Sequence, residues 1–182
     1  MLKDFNLVIS TYRRRENDCI SELWYVLQDF GDKKINASTT GLPGLIVAKT
    51  SLDPFEVVER IRKEAEEKPW YFRLILKIVP IERVVEADLN KMVEAARGLA
   101  LKKIGEEETF RITVRKRLST LDRDEIIDRV ASVIDRKVDL KNPDKIVWIE
   151  IIGDLAGISV LKPEHVVSLQ KIRRESRLRK GQ

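Results

Sequence analysis

The seven residues Ile146–Ile152, IVWIEII, restrict what this chain can fold into more than any other stretch. A strand sends alternate side chains to opposite faces, so a run that is apolar at both parities is buried on both. Glu150 is its one charge. Such a segment belongs in the interior of a covered sheet, and the residues before it supply the rest. In 109–117, TFRITVRKR, Phe110, Ile112 and Val114 alternate with Arg111, Thr113 and Arg115. That pattern predicts a strand with one buried face and one cationic face, continued by Arg117. Asp122 with Glu125 resembles a capping box, and Leu121 can staple onto Ile126. Ile126, Ile127, Val130 and Ile134 then form the core stripe of a helix. Val138–Leu140 reads as a short strand ending in the turn LKNPD. There Pro143 fixes the backbone while the Asn142 and Asp144 side chains bond it locally. Gly153–Gly157 is expected to turn the chain into a last strand, Ile158–Leu161.

The first 80 residues repeat a simpler logic. Leu2–Ser10 alternates as a strand, and a helix follows to about Phe30 with Ile20, Leu23, Trp24 and Leu27 on its apolar face, stopped by Gly31. Lys33–Thr39 and Leu45–Thr50 read as strands joined by TTGLPG. Asp53-Pro54-Phe55-Glu56 is a strong helix start, with Asp53 as cap and Pro54 in the first turn. Val57, Val58, Ile61 and Ala65 carry that helix to about Glu67. Trp70–Val79 then reads as a strand. The order strand, helix, strand, strand, helix, strand is the split βαβ arrangement of a ferredoxin-like domain over residues 1–80. Pro80 marks a boundary, and Glu86–Ile104 reads as a helix ended by Gly105. The fold class expected is therefore α+β, with units at 1–80 and 81–161 and a basic, partly helical tail at 162–182.

Composition narrows the function. Of the 182 residues, 36% are charged, above the roughly 25% of ordinary soluble domains, with Lys, Arg and Glu prevailing, as in proteins from high-temperature organisms. The net charge of +5 suits a polyanionic partner and equally a solvated surface. One cysteine, Cys19, allows no disulfide within the chain, and its apolar helical setting predicts a buried, inert thiol. The single histidine, His165, has no nucleophile-elbow serine to serve. No phosphate-binding glycine loop, His–carboxylate pair or metal-ligand spacing occurs, so no cofactor is expected. Neither a signal peptide nor a membrane-length apolar run is present; the expectation is a cytoplasmic protein without membrane contact.

The charge is unevenly placed. Residues 106–161 hold 10 Lys and Arg against 12 Asp and Glu, whereas residues 162–182 hold 7 against 2. The candidate polyanion contacts are Arg111, Arg115, Lys116 and Arg117 in the central strand, Arg13 and Arg14 after the first strand, and Arg173 and Arg174 in the tail. Alternate strand positions lie about 6.6–7 Å apart and can serve successive phosphates. The same pattern also fits a salt-bridged surface, a solvated loop and a solvated tail.

FRITVRKR, then LDRDEIIDRVASVID, then VDLKNPDKIVWIEIIGDLAGISVL, in that order and spacing, resembles the THUMP domain of RNA-modifying proteins over roughly Glu86–Leu161. THUMP domains usually follow a small ferredoxin-like domain, which residues 1–80 independently suggest. The resemblance implies tRNA as partner. It matches Arg111, Arg115 and Arg117, with Lys116 beside them, to the family's basic strand, Lys141 to an RNA-contacting turn, and Asn142, Pro143 and Asp144 to holding that turn. The short layout is similar to the tRNA cytidine-acetylation adaptor family. That implies a non-catalytic protein that presents tRNA to a separate tRNA acetyltransferase for 4-acetylcytidine formation. Two other readings remain open from the residues: a minimal RNA-modifying enzyme acting on tRNA, and a protein-interaction module that does not bind RNA.

Overall fold

The computed structural model describes all residues, Met1–Gln182. Backbone contacts divide the chain into two units, Met1–Pro80 together with Glu164–Gln182, and Ile81–Pro163.

In the first unit, β1 (Leu7–Ser10), α1 (Glu16–Asp29), β2 (Asn36–Thr39), β3 (Leu45–Lys49), α2 (Pro54–Glu67) and β4 (Lys77–Pro80) follow the split βαβ order. The four strands pair antiparallel as β4-β1-β3-β2, the ferredoxin-like sheet. Leu7, Ile9, Ile46, Ala48 and Ile78 meet Cys19, Leu23, Leu27, Val58 and Ile61 of the two helices in one core. Asp53 caps α2 by accepting from Phe55 N at 2.8 Å, with Pro54 in the first turn where its missing N–H costs nothing. Gly44 adopts φ +72, and a Cβ there would stand 2.7 Å from the Thr11 carbonyl oxygen, so only glycine lets the β2–β3 loop approach β1 this closely.

Four expectations for this unit need correction, the first being that the strand expected from Leu2 begins only at Leu7. Trp24 is 48% exposed, because the buried face of α1 is Cys19, Leu23, Val26 and Leu27 and Trp24 flanks it. The strand expected at Trp70–Val79 begins only at Lys77. Before it, the amides of Arg73, Leu74 and Ile75 donate to the Glu22 carboxylate of α1 at 2.7–2.9 Å, so a side chain takes the place of a ladder partner. The segment expected as a partly helical tail has its helix, but it also joins the sheet and core of this unit. After one 3-10 turn (Pro163–His165), β10 (Val167–Ser168) pairs antiparallel with β4, and α5 (Leu169–Lys180) follows, capped by the Ser168 hydroxyl. Val167 and Leu169 are buried in the first unit's core and Ile172 packs against it.

The second unit contains β5 (Arg83–Glu86), α3 (Leu89–Lys103), β6 (Thr109–Arg117), α4 (Arg123–Ser132), β7 (Lys137–Val138), β8 (Lys145–Ile152) and β9 (Leu155–Leu161), with sheet order β5-β9-β8-β6-β7. As IVWIEII demands, β8 is the central strand, parallel to β6 and antiparallel to β9. Phe110, Val114, Val147, Ile149, Ile151, Ala156, Ile158 and Val160 form its core face against Met92, Ala96, Ile126 and Val130 of α3 and α4. Where a helix was expected from Glu86, the chain first makes the edge strand β5, and α3 starts at its own cap, Asp88, bonded to Lys91 N. β9 starts three residues early, because Gly153 at φ +62 with Asp154 closes a two-residue hairpin.

Candidate nucleic-acid interface

Register decides which cations of β6 act together. Arg111, Arg115 and Arg117 share a parity with Thr113, and in the parallel ladder they lie opposite Ile146, Glu150 and Ile152 of β8. Lys116 has the opposite parity. Its Nζ donates to the Leu121 carbonyl at 2.6 Å, closing the β6–α4 loop. Arg111 Nη1 donates to the Leu140 carbonyl at 3.2 Å, tying β6 to the turn after β7. Arg117 lies 3.4 Å from the buried carboxylate of Glu150, the one charge in IVWIEII. Arg115 is exposed and makes neither hydrogen bond nor ion pair; its guanidinium stands 5.7 Å from the ring centroid of the buried Trp148. Three of the four cations thus bond within this unit, whereas Arg115 has only its approach to the Trp148 ring.

The VDLKNPD turn is held by its acids. Asp139 accepts from the amides of Lys141 and Asn142 at 3.0 Å, and Asp144 accepts from the amide of Thr109 at 2.8 Å. Asp144 therefore fixes the turn to the first residue of β6. The turn role expected of the Asn142 side chain falls to Asp139. Lys141 and Asn142 are exposed on the turn, and Pro143 is buried beneath it. Beside β6, Glu108 accepts from Gly105 N at 2.7 Å and from Lys145 Nζ at 2.9 Å. The Gly105 amide and the Lys145 ammonium hold its carboxyl below the usual range. The acidic run at 106–108 thus includes a structural anchor.

In the first unit, Arg13 and Arg14 line a cleft of about 500 Å³ with Asn17, Gly41, Leu42 and Pro43, between the β1–α1 turn and the β2–β3 loop. Glu16 also lines the cleft and accepts from Gly44 N at 2.7 Å and Arg14 N at 3.2 Å, bonds that lower its carboxyl below the ordinary value. Arg14 itself takes the left-handed φ of +65. Arg173 and Arg174 belong to α5. Arg173 is half-buried, donating to the Pro69 carbonyl at 3.2 Å, and Arg174 is exposed.

The single cysteine and the single histidine are both buried. Burial pushes the Cys19 thiol up to about 12, with Thr11 lowering it and Glu22 and Glu16 raising it, so no thiolate forms near neutrality. His165 is buried, its Nε2 2.9 Å from Glu59 and its ring edge-on to Phe55 at 4.9 Å. Trp70 and Tyr71, expected inside a strand, stand in the α2–β4 loop at 50% and 46% exposure. Adjacent aromatic residues in PWYFR, within so charged a chain, are the sequence signal of this exposed pair.

Together these features define an α+β protein with a ferredoxin-like unit and a second unit whose inner parallel strand presents an uncommitted arginine. Residues 86–161 match the model of the THUMP domain, a module associated with RNA binding and tRNA modification, and the chain carries that domain. The chain is 26% identical over 181 residues to the uncharacterized protein MJ0421 of Methanocaldococcus jannaschii, covering 93% of this chain and 44% of that protein. It is 26% identical over 140 residues to THUMP domain-containing protein 1 of Mus musculus, covering 71% of this chain and 40% of that protein. The crystal structure of PH1313 from Pyrococcus horikoshii superposes with a TM-score of 0.61 at 28% identity, over 86% of this chain and 54% of that one. The chain spans less than half the length of MJ0421 and of THUMP domain-containing protein 1, the two curated relatives. No helix is long and apolar enough to cross a membrane.

Proposed function

We propose that this chain is a non-catalytic tRNA-binding protein that presents tRNA to a separate modification enzyme, and that the modification served is 4-acetylcytidine. The observation that carries the reading is the THUMP domain at residues 86–161, with Arg115 left exposed on its inner strand. Lys141 on the adjoining turn is the second contact proposed from this unit. Arg111, Lys116 and Arg117 have internal partners and act mainly by fixing the strand and turn that present those two. In the first unit, Arg13 and Arg14 of the cleft and Arg173 and Arg174 of α5 are the further phosphate contacts proposed, Arg173 being also bonded to the Pro69 carbonyl. Phosphate contacts of this kind set register and affinity without reading sequence, which suits a protein that holds a folded RNA for another to act on. The chemistry is assigned to the partner, a tRNA acetyltransferase, because the thiol and imidazole of this chain are buried and engaged within it.

The test is deletion of the gene in its host followed by mass analysis of total tRNA nucleosides. Loss of 4-acetylcytidine supports the reading, and loss of another nucleoside redirects it. Incubating the purified protein with tRNA and a panel of group donors is the companion experiment. A modified nucleoside formed without a partner overturns the non-catalytic assignment.

A further inference from the structure

We infer that Trp70 and Tyr71, framed by Arg173 and Arg177 of α5 and by Lys68, form a stacking platform for unpaired RNA nucleotides in the ferredoxin-like unit. The inference rests on the RNA-binding reading above and gives it a second, aromatic contact of a different kind.

The aromatic residues of the chain are sorted by unit. All three tyrosines and two of the three tryptophans are exposed, Tyr12, Trp24, Tyr25, Trp70 and Tyr71, and all five lie in the first unit. An exposed indole forgoes a large hydrophobic gain, so one held at a fixed place beside cations calls for a ligand with a flat face. The loop that carries Trp70 is fixed at several points. Tyr71 N donates to the Lys68 carbonyl at 3.0 Å, Arg173 Nε donates to the Pro69 carbonyl at 3.2 Å, and Glu22 gathers the next three amides. The rings are therefore positioned before any ligand arrives, which limits the ordering cost of binding.

The cations around the rings are poised as well. Arg177 and Arg173, one helical turn apart on α5, place their guanidinium carbons 4.7 and 5.7 Å from the Trp70 ring centroid. Lys68 Nζ lies 5.9 Å from the Tyr71 ring. α5 carries Lys171, Arg173, Arg174, Arg177, Arg179 and Lys180 against Glu175 alone, and no residue of the helix takes part in a salt bridge. Docking of α5 does not require the arginine–indole contacts, since Val167, Leu169 and Ile172 already anchor its start in the core. Six cations without carboxylate partners beside two exposed rings complement a polyanion with π-faces. Stacking of bases on aromatic rings or guanidinium planes, with arginine and lysine tracking the backbone, is how unpaired RNA is held without sequence reading. A duplex keeps its bases stacked inside and offers the rings nothing.

The test uses the full chain, a 5′-labelled 12-nucleotide oligouridylate, the same length of RNA duplex, and folded tRNA. Fluorescence anisotropy reports affinity and tryptophan emission reports stacking. The expected result is tighter binding of the single strand than of the duplex, with emission quenched on binding. Trp70→Ala weakens the single strand about ten-fold with the salt slope unchanged, since a stack displaces no counterion. Trp70→Phe stays within about three-fold of wild type and loses most of the quench, which separates stacking from a folding defect. Arg177→Ala weakens binding and flattens the salt slope by about one. Wild-type affinity in Trp70→Ala, or an equal loss in Trp24→Ala, overturns the platform. If the oligonucleotide binds through Trp70 while tRNA does not bind, the tRNA reading falls and the platform stands. If tRNA binds and Trp70→Ala changes neither ligand, the platform falls and the tRNA reading stands.

Discussion

The two units handle charge in opposite ways. In the THUMP unit the cations that its sequence pattern advertises are largely engaged: Arg117 with Glu150, Arg111 with Leu140, Lys116 with Leu121, and Lys145 with Glu108. In the ferredoxin-like unit, α5 carries six cations with no salt bridge, and every exposed aromatic residue of the chain lies on that unit. The THUMP unit thus spends these cations on internal bonds, whereas on α5 only Arg173 donates a side-chain hydrogen bond, to the Pro69 carbonyl, and Arg173 and Arg177 lie against the Trp70 ring. A cation is available to a phosphate only if the fold has not already used it, and a strand pattern cannot reveal that.

The largest effect expected is on the ferredoxin-like unit itself. Asp32 is fully buried and accepts from Thr50 Oγ1, Ser51 Oγ, Ser51 N and Lys34 N at 2.5–2.9 Å. Asp32→Ala orphans these donors and is expected to destabilise the protein by about 3–4 kcal/mol in urea unfolding. The same site sets a pH dependence. Burial raises the Asp32 carboxyl, but the bonds from Ser51, Thr50 and Lys34 outweigh it and the net shift is downward. The unfolded chain therefore takes up this proton first as pH falls. The contribution is fully present above the unfolded value of about 3.9 and lost as pH falls through the folded one. The thermal midpoint should drop below about pH 4 in wild type, and more shallowly in Asp32→Asn.

In the THUMP unit, Glu150→Ala should cost about 3 kcal/mol, because it leaves Arg117 facing the site of a buried charge without its counterion. The double variant Glu150→Ala with Arg117→Met should recover part of that loss. Full additivity in a double-mutant cycle would break the view that Arg117 is spent on structure. Third, Arg115→Ala should weaken tRNA binding roughly five-fold and flatten the salt slope by about one, while Lys116→Ala should change affinity less and stability more. Equal effects on affinity would erase the distinction drawn between free and engaged cations. The smallest effect is chemical: Cys19 in the native protein should resist iodoacetamide at pH 7.5 and react within minutes once unfolded, as peptide mapping would show.

Much of this protein is legible along the chain because the signals are local. Asp53 and Asp122, read as caps, both cap helices in the structure, and caps depend on three or four adjacent residues. Alternation in 110–114 and the apolar run at 146–152 placed β6 and β8, since burial on one face or two follows from parity alone. β5 and β10 were not legible, being edge strands of four and two residues whose only reason to exist is a neighbour. Nor was the loop at 70–76, where Glu22, about fifty residues away, supplies what a strand partner would have given.

By itself, then, the sequence determined the two α+β units, the THUMP pattern and the placement of basic residues, because periodicity and capping are written over a few residues at a time. Only the tertiary structure decided which of those residues are free. Arg117 meets Glu150 diagonally across the β6–β8 ladder, where register sets Arg115 opposite that carboxylate, and Arg173 reaches Pro69 and Trp70 across about a hundred residues of chain. Availability for a ligand is a property of what else lies within a few ångströms, and that is set by packing, not by order along the chain.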